Sequence, residues 1–205
     1  MIKLSQVHKD LKGKEILHDV SIEAKKGRAY LLKGHNGSGK TMILRMLCGL
    51  IKPNKGKVVK DKDYSFGVMI ESPSFLEGET ALYNLKYLAS INNRISLTDI
   101  EKALKKVNLY NYRNDKVSTF SLGMKQRLGI CQAIMEEPDI LLLDEPFNAL
   151  DDENYNMAIE LLMGFKKREK IIVVASHGFS VDKTTLFDEI ITLSNGTVKK
   201  IEKVR

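Results

Sequence analysis

Hydrophobic positions along this 205-residue chain follow two rhythms, and the switches between them mark three stretches. In residues 1–70, short apolar runs of strand length dominate, at 2–7, 20–24, 29–32, 56–59 and 65–70. From 71 to 137 the apolar residues recur at helical spacing, which predicts helices over 80–92, 97–107 and 124–135. Buried strands return at 140–143 and 171–175, separated by an amphipathic helix over 152–167. Runs at 190–193 and 197–201 flank Asn195-Gly196, a pair that favours a tight hairpin. The pattern predicts one α/β domain. Its core sheet draws on 1–70 and 138–205, a helical lobe over about 71–137 interrupts it, and parallel βαβ strands complete it.

One loop gives this outline a chemistry. Gly34-His35-Asn36-Gly37-Ser38-Gly39-Lys40-Thr41 fits the phosphate-binding pattern G-x-x-x-x-G-K-[ST]. The strand-like run Ala29-Tyr30-Leu31-Leu32 precedes it, and a helical pattern over 41–50 follows. Glycines let successive backbone N–H groups curl around a phosphate, and the helix N-terminus adds partial positive charge. Lys40 would reach the β- and γ-phosphates, and the Thr41 hydroxyl would ligate Mg²⁺.

A second segment supplies acids. Ile140-Leu141-Leu142-Leu143 reads as a fully buried strand, and Asp144-Glu145 follow at its carboxyl end, the edge where open α/β sheets bind ligands. Side chains alternate along a strand, so both acids face one ligand only if the chain turns there, ahead of Pro146. Asp144 would then hold Mg²⁺ through water, and Glu145 would act as general base on the attacking water. Ser121, as the cap of the helix that follows it, offers another helix-N-terminal anion site. Asn148-Ala149-Leu150-Asp151 and Ser176-His177 fall at strand ends or in the loops beyond.

Composition narrows the class. With 43% hydrophobic and 29% charged residues the chain has a globular balance, and no apolar run approaches the roughly 18–20 residues of a membrane span. The N-terminus lacks the apolar core and cleavage site of a signal peptide, so a cytoplasmic location is expected. Cys48 and Cys131 have no metal-ligand spacing and read as reduced core residues, and the four histidines are scattered without a metal pattern. The net charge of +7 would suit nucleic acid or an anionic membrane face. Its lysines are spread over several segments without interleaved aromatic platforms, which fits solvated faces better.

Taken in order, these motifs resemble the nucleotide-binding subunit of an ABC transporter, nearly end to end. Gly34 to Thr41 resembles the Walker A loop, Ser121-Leu122-Gly123-Met124-Lys125 the signature motif, and Ile140 to Glu145 the Walker B strand with its catalytic glutamate. Ala149-Leu150-Asp151 resembles the D-loop and His177 the switch histidine. The resemblance implies a P-loop NTPase core with a mixed sheet and an inserted helical subdomain. It also implies ATP and Mg²⁺ as ligands, and a head-to-tail dimer sandwiching two ATP molecules between one subunit's Walker A loop and the other's signature motif.

Four positions depart from the family pattern. The signature reads Phe120-Ser121-Leu122-Gly123-Met124, keeping the serine and the second glycine. Leu11 stands where an aromatic residue usually stacks on adenine, and Met42 where a second hydroxyl often follows the Walker A threonine. Glu71, within Val68-Met69-Ile70-Glu71-Ser72-Pro73, replaces the Q-loop glutamine and would be a further oxygen ligand for Mg²⁺. Glu71 and the signature together resemble the bacteriocin, lantibiotic and bacitracin immunity or export branch.

The resemblance thus implies an ATPase subunit at the inner face of the cell membrane. Its partners would be a separate transmembrane permease and a second nucleotide-binding subunit, identical or paralogous. An amphipathic or antimicrobial peptide is the expected cargo. The alternative is a soluble ABC ATPase acting on nucleic acid or ribosomes. Such proteins usually carry two cassettes or a long coiled-coil insertion, and this chain has one cassette and no heptad stretch, so nucleic acid is not the expected partner.

Overall fold

The computed structural model describes residues 1–71, 73–178 and 185–204. Ser72, after the fifth strand, and Arg205, at the end of the basic tail, lie outside the described residues. The first part of the chain runs β1 (Ile2–Leu11), β2 (Lys14–Ala24), β3 (Ala29–Lys33), α1 (Lys40–Leu47), β4 (Lys55–Lys60) and β5 (Phe66–Met69). Three helices follow: α2 (Ala81–Asn92), α3 (Leu97–Lys106) and α4 (Leu122–Ile134). The chain then forms β6 (Ile140–Asp144), α5 (Asp152–Lys167), β7 (Ile171–Ser176), β8 (Glu189–Ser194) and β9 (Thr197–Lys203).

The strands form two sheets where the apolar pattern suggested one. A six-stranded mixed sheet has the order β5-β6-β7-β3-β8-β9; all its neighbours are parallel except the β8–β9 hairpin. β1, β2 and β4 form a separate antiparallel sheet, so only β3 and β5 of the first 70 residues join the main one. Burial explains the split. Ile2, Leu4, Val7, Leu17, Val20, Ile22 and Ala24 give the smaller sheet one apolar face, while its other positions are polar or at least partly exposed. One-sided burial suits antiparallel pairing.

Parallel strands, by contrast, are buried on both faces, and alternate residues feed two cores. Leu31, Leu141, Leu143, Ile172 and Val174 pack with the helical segment and Phe165 of α5. Leu32, Leu142 and Val173 pack with Ile43, Leu44 and Leu47 of α1 and with Leu4 and Leu17 of the antiparallel sheet. β5 and α4 approach tightly at Gly67, where an added Cβ would collide with the carbonyl oxygen of Ala133 and lie 2.7 Å from Pro138 Cγ.

Element ends also differ from the pattern. β1 continues to Leu11 and β2 begins at Lys14, closed by a Lys12-Gly13 turn in which both residues have positive φ. Two such residues make a hairpin turn whose twist matches the strands. Polar residues fill this stretch, so hydrophobicity does not mark it. Cys131 is buried in α4 as expected, whereas Cys48 caps the C-terminus of α1 half-buried, its thiol toward the Arg45 carbonyl.

Gly67→Ala tests the packing directly. Overfilling a close contact costs about 1–3 kcal/mol. The variant should lose that much or more in urea unfolding, and an unchanged midpoint would show that α4 can yield.

Candidate functional site

Three carboxyl ends meet at one place. β3 delivers the glycine loop, β6 delivers Asp144 and Glu145, and β7 delivers Ser176 and His177. A cavity of about 780 Å³, of a size to hold a nucleotide, lies beside the ends of β3 and β6; Ser176 and His177 stand outside its lining and reach it only through Glu145. Of the expected residues, Asn36, Gly37, Gly39, Lys40, Thr41, Met42, Glu71, Asp144 and Glu145 line it.

The loop owes its shape to close contacts. Gly37 and Gly39 have φ of +81° and +103°, in the left-handed region that glycine adopts without strain. Gly34 has no room for a side chain because the Leu193 carbonyl and the Ser38 hydroxyl crowd it. Ser38 is fully buried, and among the described residues its hydroxyl is the buried side-chain oxygen with no hydrogen-bond partner. His35 stays at the surface, with Nδ1 2.8 Å from the Asn36 carbonyl. The Lys40 ammonium donates to the carbonyls of Gly34 and His35, at 2.7 and 3.2 Å, so it curls back over the loop it follows.

Thr41 ties this loop to β6. Its hydroxyl donates to Asp144 Oδ2 at 2.6 Å, across 103 residues of sequence. Burial pushes the Asp144 carboxyl above its ordinary pKa, and the charge of Glu145 adds to the rise. The Thr41 hydroxyl, Lys40 and the backbone N–H of Glu71 pull the other way. A hydroxyl and a carboxylate side by side are hard oxygen donors, the set that suits Mg²⁺. Lys40 and the N-terminus of α1 suit phosphate.

Both acids reach the cavity because the chain turns at Glu145 itself, whose φ is +48°. That strained backbone is pinned: Glu145 N–H donates to Ala175 O at 2.9 Å, and the buried Gln126 side chain donates to Glu145 O at 2.6 Å. The carboxylate takes the Ser176 hydroxyl at 3.0 Å and lies 2.6 Å from His177 Nδ1. An acid held this way, facing a phosphate site, is placed to take a proton from water.

Other expected residues stand elsewhere. Leu11 lies at the tip of β1, 42% exposed and paired with Lys14, away from the cavity lining; Lys14, Glu15 and Ile16 form that wall instead. Ser121 caps α4 by accepting the Met124 N–H, and its neighbour Leu122 lines the cavity. Gly123 packs on the loop after β6, where a Cβ would sit 2.7 Å from the Ala149 carbonyl. Asp151 caps α5, accepting from the backbone and side chain of Asn154, whose hydrogen bonds lower its pKa. Glu71 bends the chain with φ of +64°, and Arg45 of α1 holds its carboxylate at 2.5 Å.

Sequence reasoning passed over Gln126, Ile16, Asn195 and Gly196 as site residues, though all four line the cavity. The Asn195-Gly196 turn was legible as a hairpin, but its place beside the loop was not: Gly196 N–H donates to the Ser38 carbonyl. Gln126 carried no local signal, since its role depends on a strand end 19 residues away.

A fold and site of this form define a P-loop ATPase cassette, and the family model for "ABC transporter" matches residues 17–148. The chain belongs to that family. It is 42% identical to the ABC transporter ATP-binding protein YybJ of Bacillus subtilis (strain 168), over 100% of this chain and 97% of that protein. The lantibiotic transport ATP-binding protein SrtF of Streptococcus pyogenes is 34% identical over 86% of this chain and 80% of its own length. Among solved structures, the dimeric cassette MJ0796 in a post-hydrolysis state with ADP and Pi matches with a TM-score of 0.89. It is 26% identical, over 100% of this chain and 99% of that one.

The raised pKa of Asp144 carries a stability consequence. A carboxyl that holds its proton more tightly when folded destabilises the fold as pH rises through the range between its unfolded and folded values. Asp144→Asn should therefore melt higher than the wild type without nucleotide at neutral pH, and the gain should shrink in acid. A lower melting temperature at neutral pH would contradict this.

Proposed function

We propose that this chain is the ATP-binding and ATP-hydrolysing subunit of an ABC transporter that powers export through a separate transmembrane subunit. The observation that carries the reading is the convergence of the glycine loop, Asp144 and Glu145 on one cavity, with His177 behind the Glu145 carboxylate. Lys40 and the loop N–H groups would bind the triphosphate; Thr41 and Asp144 would hold Mg²⁺, with Glu71 as a further oxygen ligand. The metal, when bound, neutralises charge on the phosphate oxygens. Glu145 accepts the proton of the attacking water, and His177 keeps its carboxylate oriented.

Ser121, Gly123 and Asp151 would serve the nucleotide of a second copy or paralogue, across a head-to-tail dimer. The dimeric state of the MJ0796 cassette supports this arrangement. The helical segment, residues 71–137, would pass the motion to the permease. Tyr83, Tyr87 and Ile91 support that docking: they recur every fourth residue on α2 and are exposed as one apolar stripe. Among the described residues no helix is long and apolar enough to cross a membrane. In this reading the pore would belong to the partner, and this subunit would rest on the inner membrane face. The likeness to SrtF supports an amphipathic peptide as cargo. Glu71, at the junction of β5 and the helical segment, would act as a coupling element whose charge Arg45 balances between cycles.

Two measurements test the site. Mg-ATP at about 100 times its Kd should stabilise the wild type by about 2.7 kcal/mol in thermal unfolding, and Lys40→Ala should lose most of this. No shift with the wild type would overturn the nucleotide reading. Glu145→Gln should keep the Mg-ATP stabilisation, hydrolyse ATP about 10²–10⁴ times more slowly, and accumulate as an ATP-dependent dimer in size-exclusion chromatography. Hydrolysis at the wild-type rate would remove Glu145 from the chemistry.

A further inference from the structure

The β1–β2 hairpin gathers three metal-binding side chains that their spacing in sequence does not announce. Val7 pairs with Val20 and Lys9 with Leu17, so His8 alone stands opposite His18 and Asp19 together. Two residues against one is a β-bulge, and Asp19 takes the positive φ of +47° that lets the strand bend there. The bulge turns His18 toward His8. Glu15, one turn of pleat nearer the hairpin tip, completes the group.

The geometry is close to that of a coordination shell. Nδ1 of His18 and Nδ1 of His8 lie 2.8 and 3.2 Å from the same Glu15 oxygen, and the three side chains' ligand atoms all fall within 4.8 Å of one another. The two rings meet edge to face at 81°, with centroids 4.9 Å apart. In a tetrahedral zinc site with bonds of about 2.0–2.1 Å, neighbouring ligand atoms stand about 3.3 Å apart. The two histidine–Glu15 separations, 2.8 and 3.2 Å, lie within a few tenths of an ångström of that spacing.

We propose that His8, Glu15 and His18 form a binding site for a divalent transition-metal ion of the zinc type, with solvent completing its shell. Imidazole nitrogen suits zinc, copper and nickel, whereas Mg²⁺ demands oxygen ligands and keeps its waters. The site therefore selects a different metal from the Thr41–Asp144 pair. His18 and Glu15 are exposed, which leaves room for solvent ligands and a path of entry.

Its location gives the ion something to act on. Glu15 and its neighbours Lys14 and Ile16 form one wall of the nucleotide cavity, and the His18 N–H donates to the carbonyl of Gly196, which also lines it. A metal joining β1 to β2 here braces that wall. Metal binding itself does not depend on the nucleotide reading.

Isothermal titration of the tag-free chain with Zn²⁺ tests the site, in excess Mg²⁺ and without nucleotide or chelator. One ion per chain is expected. His18→Ala, His8→Gln and Glu15→Gln should each weaken binding more than about tenfold, while Cys48→Ser, which removes a competing thiol, should leave it unchanged. His18 is 58% exposed, so its replacement leaves the fold intact, as the melting curve would show. Absence of one-to-one binding would overturn the proposal, and so would zinc affinity indifferent to all three substitutions.

Discussion

Burial of the parallel strands on both faces leaves their carboxyl edge as the one place where polar groups from β3, β6 and β7 can gather. Every side chain of β6 and β7 is buried, Asp144 and Ser176 at their ends included. Charges inside such a layer are costly unless paired, so they are pushed to its rim. There the Thr41–Asp144 hydrogen bond joins the phosphate loop to the acidic strand. The helical segment, α1 and the smaller sheet pack against the layer's two faces and hold that rim in place.

The rim is built under strain. Glu145 has a left-handed backbone that a non-glycine residue adopts at a cost, and Asp144 carries a desolvated carboxyl. Neighbours hold both: Ala175 and Gln126 bind the Glu145 backbone, and Ser176 and His177 sit on its carboxylate. A site of this kind gives up stability for the position of a carboxylate. Ligand binding to the folded state offsets the loss.

The departures from the family pattern acquire physical content in this setting. Glu71 is not a stray charge, since Arg45 of the helix that opens the phosphate site pairs with it and its N–H supports Asp144. The wall near β2 is built from Lys14, Glu15 and Ile16, with no aromatic face among them. Gly123 is required by the loop after β6, whose Ala149 carbonyl leaves no room for a side chain. Two of the four histidines that look scattered along the chain, His8 and His18, meet at a β-bulge.

The sequence by itself determined the elements whose signals are local. The strand-loop-helix of 29–47, the buried run Ile140-Leu141-Leu142-Leu143 with its two acids, and the Asn195-Gly196 hairpin all follow from patterns within a few residues. Only the tertiary structure decided which strands share a sheet, because one-sided and two-sided burial look alike in short apolar runs. It also decided that the chain turns at Glu145, that Gln126 holds this turn, and that Ile16 rather than Leu11 lines the cavity. These depend on contacts between segments distant in sequence, where register and packing choose the neighbour and no local pattern encodes the choice.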